Sequence, residues 1–145
     1  MEIKIKKLRD FARIPERGTA GAAGADLYSA SEGPVAVRPH ETVMIPTGIA
    51  VELPEMYAGL VFARSGLASK RGLAPANKVG LIDPDYRGEI MVALHNHGET
   101  EETVLPGERI AQFVVVPYVA ADFVEADCLS ETKRGDGGFG STGTH

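Results

Sequence analysis

The sequence predicts an all-β fold, a jelly-roll-like barrel or sandwich with one short helix and a flexible glycine-rich C-terminal tail. Three observations carry this. β-Branched and aromatic runs recur at short intervals, Gly, Pro, Asn or Asp stand between them, and no stretch sustains a long apolar period of 3.6 residues.

Met1 to Leu8 alternates apolar and charged residues, as a half-buried strand does. Arg9 to Gly24, with its proline and small residues, reads as loop. Ala25–Ala30 and Val35–Val37 follow as short strands, then Thr42–Pro46 and Gly48–Leu53, broken at Pro46-Thr47-Gly48. Tyr57–Ala63 is rich in aromatic and β-branched residues. Ser65–Arg71 suits two turns of helix with Ser65 as N-cap. Leu81-Ile82 and Ile90–Leu94 flank Asp83-Pro84-Asp85-Tyr86-Arg87-Gly88, which predicts a hairpin whose turn gathers two carboxylates, a phenol and a guanidinium. Glu89–Asn96 and Arg109–Val119 complete the strands. We expect one domain over 1–132 carrying the functional site, and a mobile segment over 133–145, where glycine is too frequent for a packed core.

A chain of 145 residues, 43% hydrophobic and 24% charged, is one ordinary globular domain. The formal net charge of -5 argues against a general nucleic-acid binder, yet leaves room for a small anionic ligand neutralised by local arginines or a metal. The longest apolar runs are too short to cross a bilayer as helices. A single cysteine, Cys128, forms no internal disulfide, and no signal peptide is evident, so a cytoplasmic location is expected. Nothing in sequence near Cys128 would activate its thiol.

Several segments carry possible chemistry beside a plainer reading. Arg64-Ser65-Gly66 sits where a strand meets a helix N-terminus, a natural place for phosphate, with Arg64 as a planar fork; alone, the stretch favours a capped helix with a surface arginine. Gln112 shares the face of Ile110 and Val114, and a buried amide needs partners, structural or ligand. Asp26 either bonds neighbouring backbone or holds a hydrated divalent cation, because Mg²⁺ keeps several waters and accepts a single carboxylate beside substrate phosphates. His95 and His97 share a strand face without an evident third ligand, and read as a solvated strand end. In the tail, Gly135, Gly137 and Gly140 match G-x-G-x-x-G, but only five residues follow, so no βαβ unit can form. Arg134-Gly135-Asp136 is discounted as an adhesion tripeptide. Phe139, with a cation and hydroxyls around it and no core to join, offers parts for stacking on a base and closing over phosphates.

In order, Ala22–Leu27, Arg64–Ala68, Gly80–Glu89, Gly107–Gln112 and Arg134–Thr142 match five motifs, and the chain resembles the trimeric deoxyuridine triphosphatases over nearly its whole length. Ala63 departs from the proline common before Arg-Ser-Gly, without touching the contacting residues. The resemblance implies hydrolysis of dUTP to dUMP and pyrophosphate with Mg²⁺, keeping uracil out of DNA and supplying dUMP for thymidylate synthesis. It implies Asp83 as the base that activates water, Arg134 as a second catalytic residue, and Asp26 as the metal residue, acting through water. Arg64, Ser65, Gly66 and Gln112 then bind phosphates, while Asn77, Gly80, Ile82, Tyr86 and Met91 serve uracil and deoxyribose. Phe139, Gly140, Ser141 and Thr142 belong to a lid over the substrate. A homotrimer with sites shared between subunits follows from the resemblance, with no nucleic acid or membrane as partner. A dCTP deaminase relative and a nucleotide sensor without turnover are the alternatives; the complete fifth motif argues against the first, Asp83 and Arg134 against the second.

Overall fold

The computed structural model describes residues 1–138. Its strands are β1 (Lys4–Lys7), β2 (Ala25–Tyr28), β3 (Val35–Val37), β4 (Thr42–Pro46), β5 (Ile49–Glu52) and β6 (Tyr57–Phe62). The helix α1 (Ser65–Arg71) follows, and then β7 (Leu73–Pro75), β8 (Val79–Ile82), β9 (Met91–Asn96), β10 (Glu102–Val104) and β11 (Arg109–Pro117). A four-stranded sheet runs β2-β11-β6-β8 and a three-stranded one β4-β9-β7, with the pairs β1-β5 and β10-β3 beside them. Every pairing is antiparallel. Among the described residues the strands form no closed barrel.

The core explains the pairing. Leu27, Val61 and Phe113 from the four-stranded sheet meet Ile45, Leu73, Val92 and Leu94 from the three-stranded one, and α1 contributes Leu67. Burying these side chains is the main stabilising term, about 25 cal/mol per Å² of apolar surface. Asn96 is fully buried but satisfied, donating from Nδ2 to the Val37 and Thr100 carbonyls and accepting from Gly98 N–H.

Three expectations need correction. The stretches around Leu81-Ile82 and Ile90–Leu94 do not form a hairpin ladder: β8 pairs with β6, whereas β9 lies between β4 and β7. Asp83–Gly88 does turn the chain, as its proline, aspartates and glycine dictate, but each flanking strand pairs with a strand other than its neighbour across the turn. Glu89 and Ile90 stay outside β9 because they bond to residues 47–49 instead. Secondly, Ser65 is the first helical residue; Arg64 takes the N-cap position, with extended backbone and no side-chain cap bond. Thirdly, a bulge between Arg109 and Ala111 shifts the phase of β11, so Ile110, Ala111 and Phe113 are buried and Gln112 turns away from them. The strands β7 and β10, three residues each, had no sequence expectation.

After Pro117 the described chain has neither helix nor strand. It carries apolar side chains into solvent, Phe123 98% and Leu129 88% exposed. No helix is long and apolar enough to cross a membrane among the described residues.

Candidate active site

One group of predicted residues converges at an edge of the four-stranded sheet. In register, Asp26 on β2 stands opposite Gln112 on β11, and Gln112 opposite Phe62 on β6, two residues before Arg64. Arg64 Nε donates to Asp26 Oδ1 at 2.8 Å, and Arg109 donates to Asp26 Oδ2 at 3.2 Å. The Asp26 side chain is 14% exposed, so the two guanidiniums replace the hydration it loses. Gln112 donates from Nε2 to the Ala63 carbonyl at 2.8 Å, holding the backbone just before Arg64. A side chain at Gly24 would collide with the Gln112 carboxamide, so the glycine is what lets the loop before β2 lie against it. Ser65 and Gly66 are exposed at the start of α1. An arginine carries five N–H donors, so Arg64 and Arg109 keep some for an anion while holding Asp26.

A second group lies on the opposite edge, between β8 and β9. Since these strands belong to different sheets, the space between them is an open cleft and not a ladder. One part, of about 210 Å³, is lined by Val61, Pro75, Asn77, Gly80, Ile82 and Met91. An adjoining part, of about 290 Å³, is lined by Met44, Leu81, Ile82, Asp83, Tyr86 and Met91. Asp83 is exposed at the rim, its carbonyl accepting from Tyr86 N–H at 3.2 Å. Tyr86 folds back over Gly88, and its hydroxyl donates to the Glu89 carbonyl at 2.9 Å. The cleft offers apolar walls, free backbone groups from an edge strand, an amide and a carboxylate. Those parts suit a planar polar ring.

Asp26, Arg64 and Gln112 are thus brought together, as are Asn77, Gly80, Ile82, Asp83, Tyr86 and Met91. Within one chain the groups stay apart, since β2 and β8 are the two edges of one sheet, on the order of 14 Å from each other. Arg134 lies in neither: its Nε donates to the Gly137 carbonyl at 2.7 Å within a local turn. Phe139, Gly140, Ser141 and Thr142 lie outside the described residues. Sequence reading missed Arg109 as the second partner of Asp26, although it stands in the same Gly107–Gln112 stretch. Opposite charges brought to one sheet edge, 83 residues apart, become visible only once the register of β2 and β11 is known.

No group of three metal-ligating side chains exists among the described residues. Asp26 alone is a hard oxygen donor, which suits a Mg²⁺ that keeps its waters and takes its other ligands from phosphates.

Comparison with known proteins gives one answer. The dUTPase family model matches residues 10–143. A deoxyuridine 5'-triphosphate nucleotidohydrolase of Hydrogenobaculum sp. (strain Y04AAS1) is 50% identical over 143 residues, 99% of each chain. One from Desulfitobacterium hafniense (strain DSM 10664 / DCB-2) is 54% identical over 146 residues, covering 99% of this chain and 97% of its own. Among solved structures, the dUTPase of Staphylococcus bacteriophage 80alpha with dUPNHPP superposes with a TM-score of 0.91 at 32% identity, covering 98% of both chains. The chain therefore belongs to the dUTPase family, the dUTP diphosphatases.

Proposed function

We propose that this protein hydrolyses dUTP to dUMP and pyrophosphate in the cytoplasmic nucleotide pool, by attack of a water on the α-phosphorus. The observation that carries the reading is Asp83 on the rim of the β8–β9 cleft, beside Tyr86. Uracil enters between the strands, where Gly80 and Ile82 offer backbone groups, Asn77 an amide and Met91 an apolar wall. Tyr86 lies against the deoxyribose and leaves no space for a 2′-hydroxyl. Asp83 accepts a proton from the attacking water and orients it.

Phosphoryl chemistry of this kind needs positioning and spread positive charge more than covalent help. Arg64 supplies a guanidinium, and Ser65, Gly66 and Gln112 supply a hydroxyl and amides. Bound Mg²⁺ would neutralise charge on the triphosphate, with Asp26 holding it through water. Arg134 adds charge from the tail, while Phe139, Gly140, Ser141 and Thr142 close residues 133–145 over the bound nucleotide as a lid.

The protein acts as a homotrimer in this reading. Separation of the two residue groups on opposite sheet edges supports it, because neighbouring subunits can then bring one edge to the other. Support also comes from the apolar segment after Pro117, with Val119, Phe123, Val124 and Leu129 exposed in the single chain. The deciding experiment is pyrophosphate release from dUTP, dTTP, dCTP and UTP with Mg²⁺, for the wild type and Asp83→Asn. Release from dUTP alone, lost in the variant, is the expected result. Tight dUTP binding without release would overturn the enzymatic reading, and deamination of dCTP would replace the substrate. Sedimentation as a monomer at micromolar concentration would remove the trimer.

A further inference from the structure

The loop that carries Tyr86 is tied at its far end by an ion pair between Arg9 and Glu89, the latter at the margin of the cleft. Glu89 Oε1 accepts from Gly48 N–H at 2.7 Å and from Arg9 at 3.1 Å; a second Arg9 nitrogen lies 3.5 Å from Oε2. Arg9 is itself held, donating to the Ala30 carbonyl at 3.1 Å. The next residue, Ile90, donates its N–H to the Ile49 carbonyl at 2.9 Å and accepts from the Thr47 hydroxyl at 2.6 Å. Residues 89–90 are thus fastened to residues 47–49 and to the segment after β1.

The amide that receives Glu89 is not interchangeable. Gly48 has φ +69°, and a Cβ there would lie 2.6 Å from the Ala12 Cβ and 2.9 Å from the Ala30 Cβ. Only glycine presents its N–H to Glu89 in that conformation without displacing two buried methyl groups.

From this anchor, one hydrogen bond reaches the nucleotide site. The Tyr86 hydroxyl donates to the main-chain carbonyl of Glu89, the residue whose side chain is pinned. The ring lies across Gly88 so closely that a Cβ on that residue would overlap the phenol. The ring is otherwise poorly supported, with Tyr86 43% exposed. Its position therefore depends on where the Glu89 peptide stands.

We infer that Arg9 and Glu89 are positioning residues for sugar specificity: by fixing the Glu89 carbonyl they hold Tyr86 where it rejects a 2′-hydroxyl. This rests on the reading of Tyr86 as the residue against deoxyribose. Steric exclusion by a ring is sharp only when the ring is stationary, since a displacement of about 1 Å is enough to admit an oxygen or to cost reactivity.

The test is kcat/KM for dUTP and for UTP with Mg²⁺ on the wild type, Glu89→Gln, Arg9→Met, Arg9→Lys and Gly88→Ala, on samples shown folded by circular dichroism. Glu89→Gln and Arg9→Met are expected to raise the UTP-to-dUTP ratio by about tenfold or more. Arg9→Lys should return most of the discrimination, and Gly88→Ala, which pushes the ring directly, should relax it without touching the pair. A purely structural pair would lower the melting temperature and scale both activities together. An unchanged ratio in Glu89→Gln and Arg9→Met, with a raised ratio in Gly88→Ala, overturns the inference. Should Glu89→Gln fail to fold, Arg9→Met decides alone. Absence of dUTP hydrolysis by the wild type would instead overturn the functional reading itself.

Discussion

Arg64 and Asp26 meet through a 2.8 Å bond from Nε to Oδ1 that joins the start of the helix, at the end of β6, to β2 across the intervening β11. The pair links a residue assigned to phosphate with one assigned to metal-bound water, so neither can be changed without disturbing the other. Arg109 shares the same carboxylate.

Asp26→Asn keeps the shape and removes the charge. Both guanidiniums lose their anionic partner, and we expect a stability loss of about 2 kcal/mol. Urea unfolding measures it. Activity should fall further than stability explains, with a higher Mg²⁺ concentration needed for half-maximal rate. Equal Mg²⁺ dependence in wild type and variant would remove Asp26 from the metal assignment.

Asp83→Asn separates binding from chemistry. The side chain is exposed, so the melting temperature should not move. Turnover should drop by about 10²- to 10⁴-fold, the usual contribution of a positioned base. Calorimetry should still detect dUTP; loss of binding together with turnover would reassign Asp83 to substrate holding.

Arg71 is the clearest structural residue outside the site. At the end of α1 it donates to Glu102 at 2.6 Å, to the Thr103 carbonyl at 2.6 Å and to Glu108. Its pKa is raised: desolvation opposes the shift, but the two carboxylates outweigh it. Arg71→Ala leaves Glu102 without this cation and Glu108 with only the Leu105 N–H as partner, in a half-buried place, and we expect a loss of about 2–4 kcal/mol in urea unfolding. Arg71→Lys should recover little, because one ammonium cannot span three acceptors as the fork does.

Removal of residues 133–145 tests the proposed lid. In the described part, Gly135 and Gly137 N–H bond only to Thr132 and Arg134 close by, so the fold should be unchanged by circular dichroism. The proposed trimer should persist in sedimentation, while kcat/KM for dUTP falls by about two orders of magnitude. Full activity in the truncated chain would exclude Arg134 and the lid from the reaction.

His97 gives a pH dependence. Desolvation, then the charges of Lys78, His95 and His40, hold its imidazole below the ordinary 6.5. The unfolded chain therefore takes up this proton first, and folded-state stability declines as pH falls through about 6.5. Urea midpoints at about pH 8 and about pH 5 should differ less in His97→Gln than in the wild type. An equal difference would place the dependence elsewhere.

Much of this protein could be read from local sequence. Thr42–Pro46 has the bounds expected for it, and the helix lies where its signals put it but with its cap one residue earlier, because both depend on neighbours a few residues away. The Asp83–Gly88 turn was equally legible, since proline, aspartate and glycine dictate it locally. Family membership was legible for the same reason, in five stretches each complete in itself.

Tertiary structure alone decided the rest. Strand pairing brings Asp26 to Arg109, and loop packing brings Glu89 to Arg9, 83 and 80 residues apart, and no local pattern encodes such a partner. The bulge that turns Gln112 off the core face is a property of two strands, not one. Separation of β8 from β9 follows from which apolar faces each buries, and it opens the cleft where a ladder was expected. Local chemistry wrote the elements and the functional side chains; long-range burial chose which of them meet.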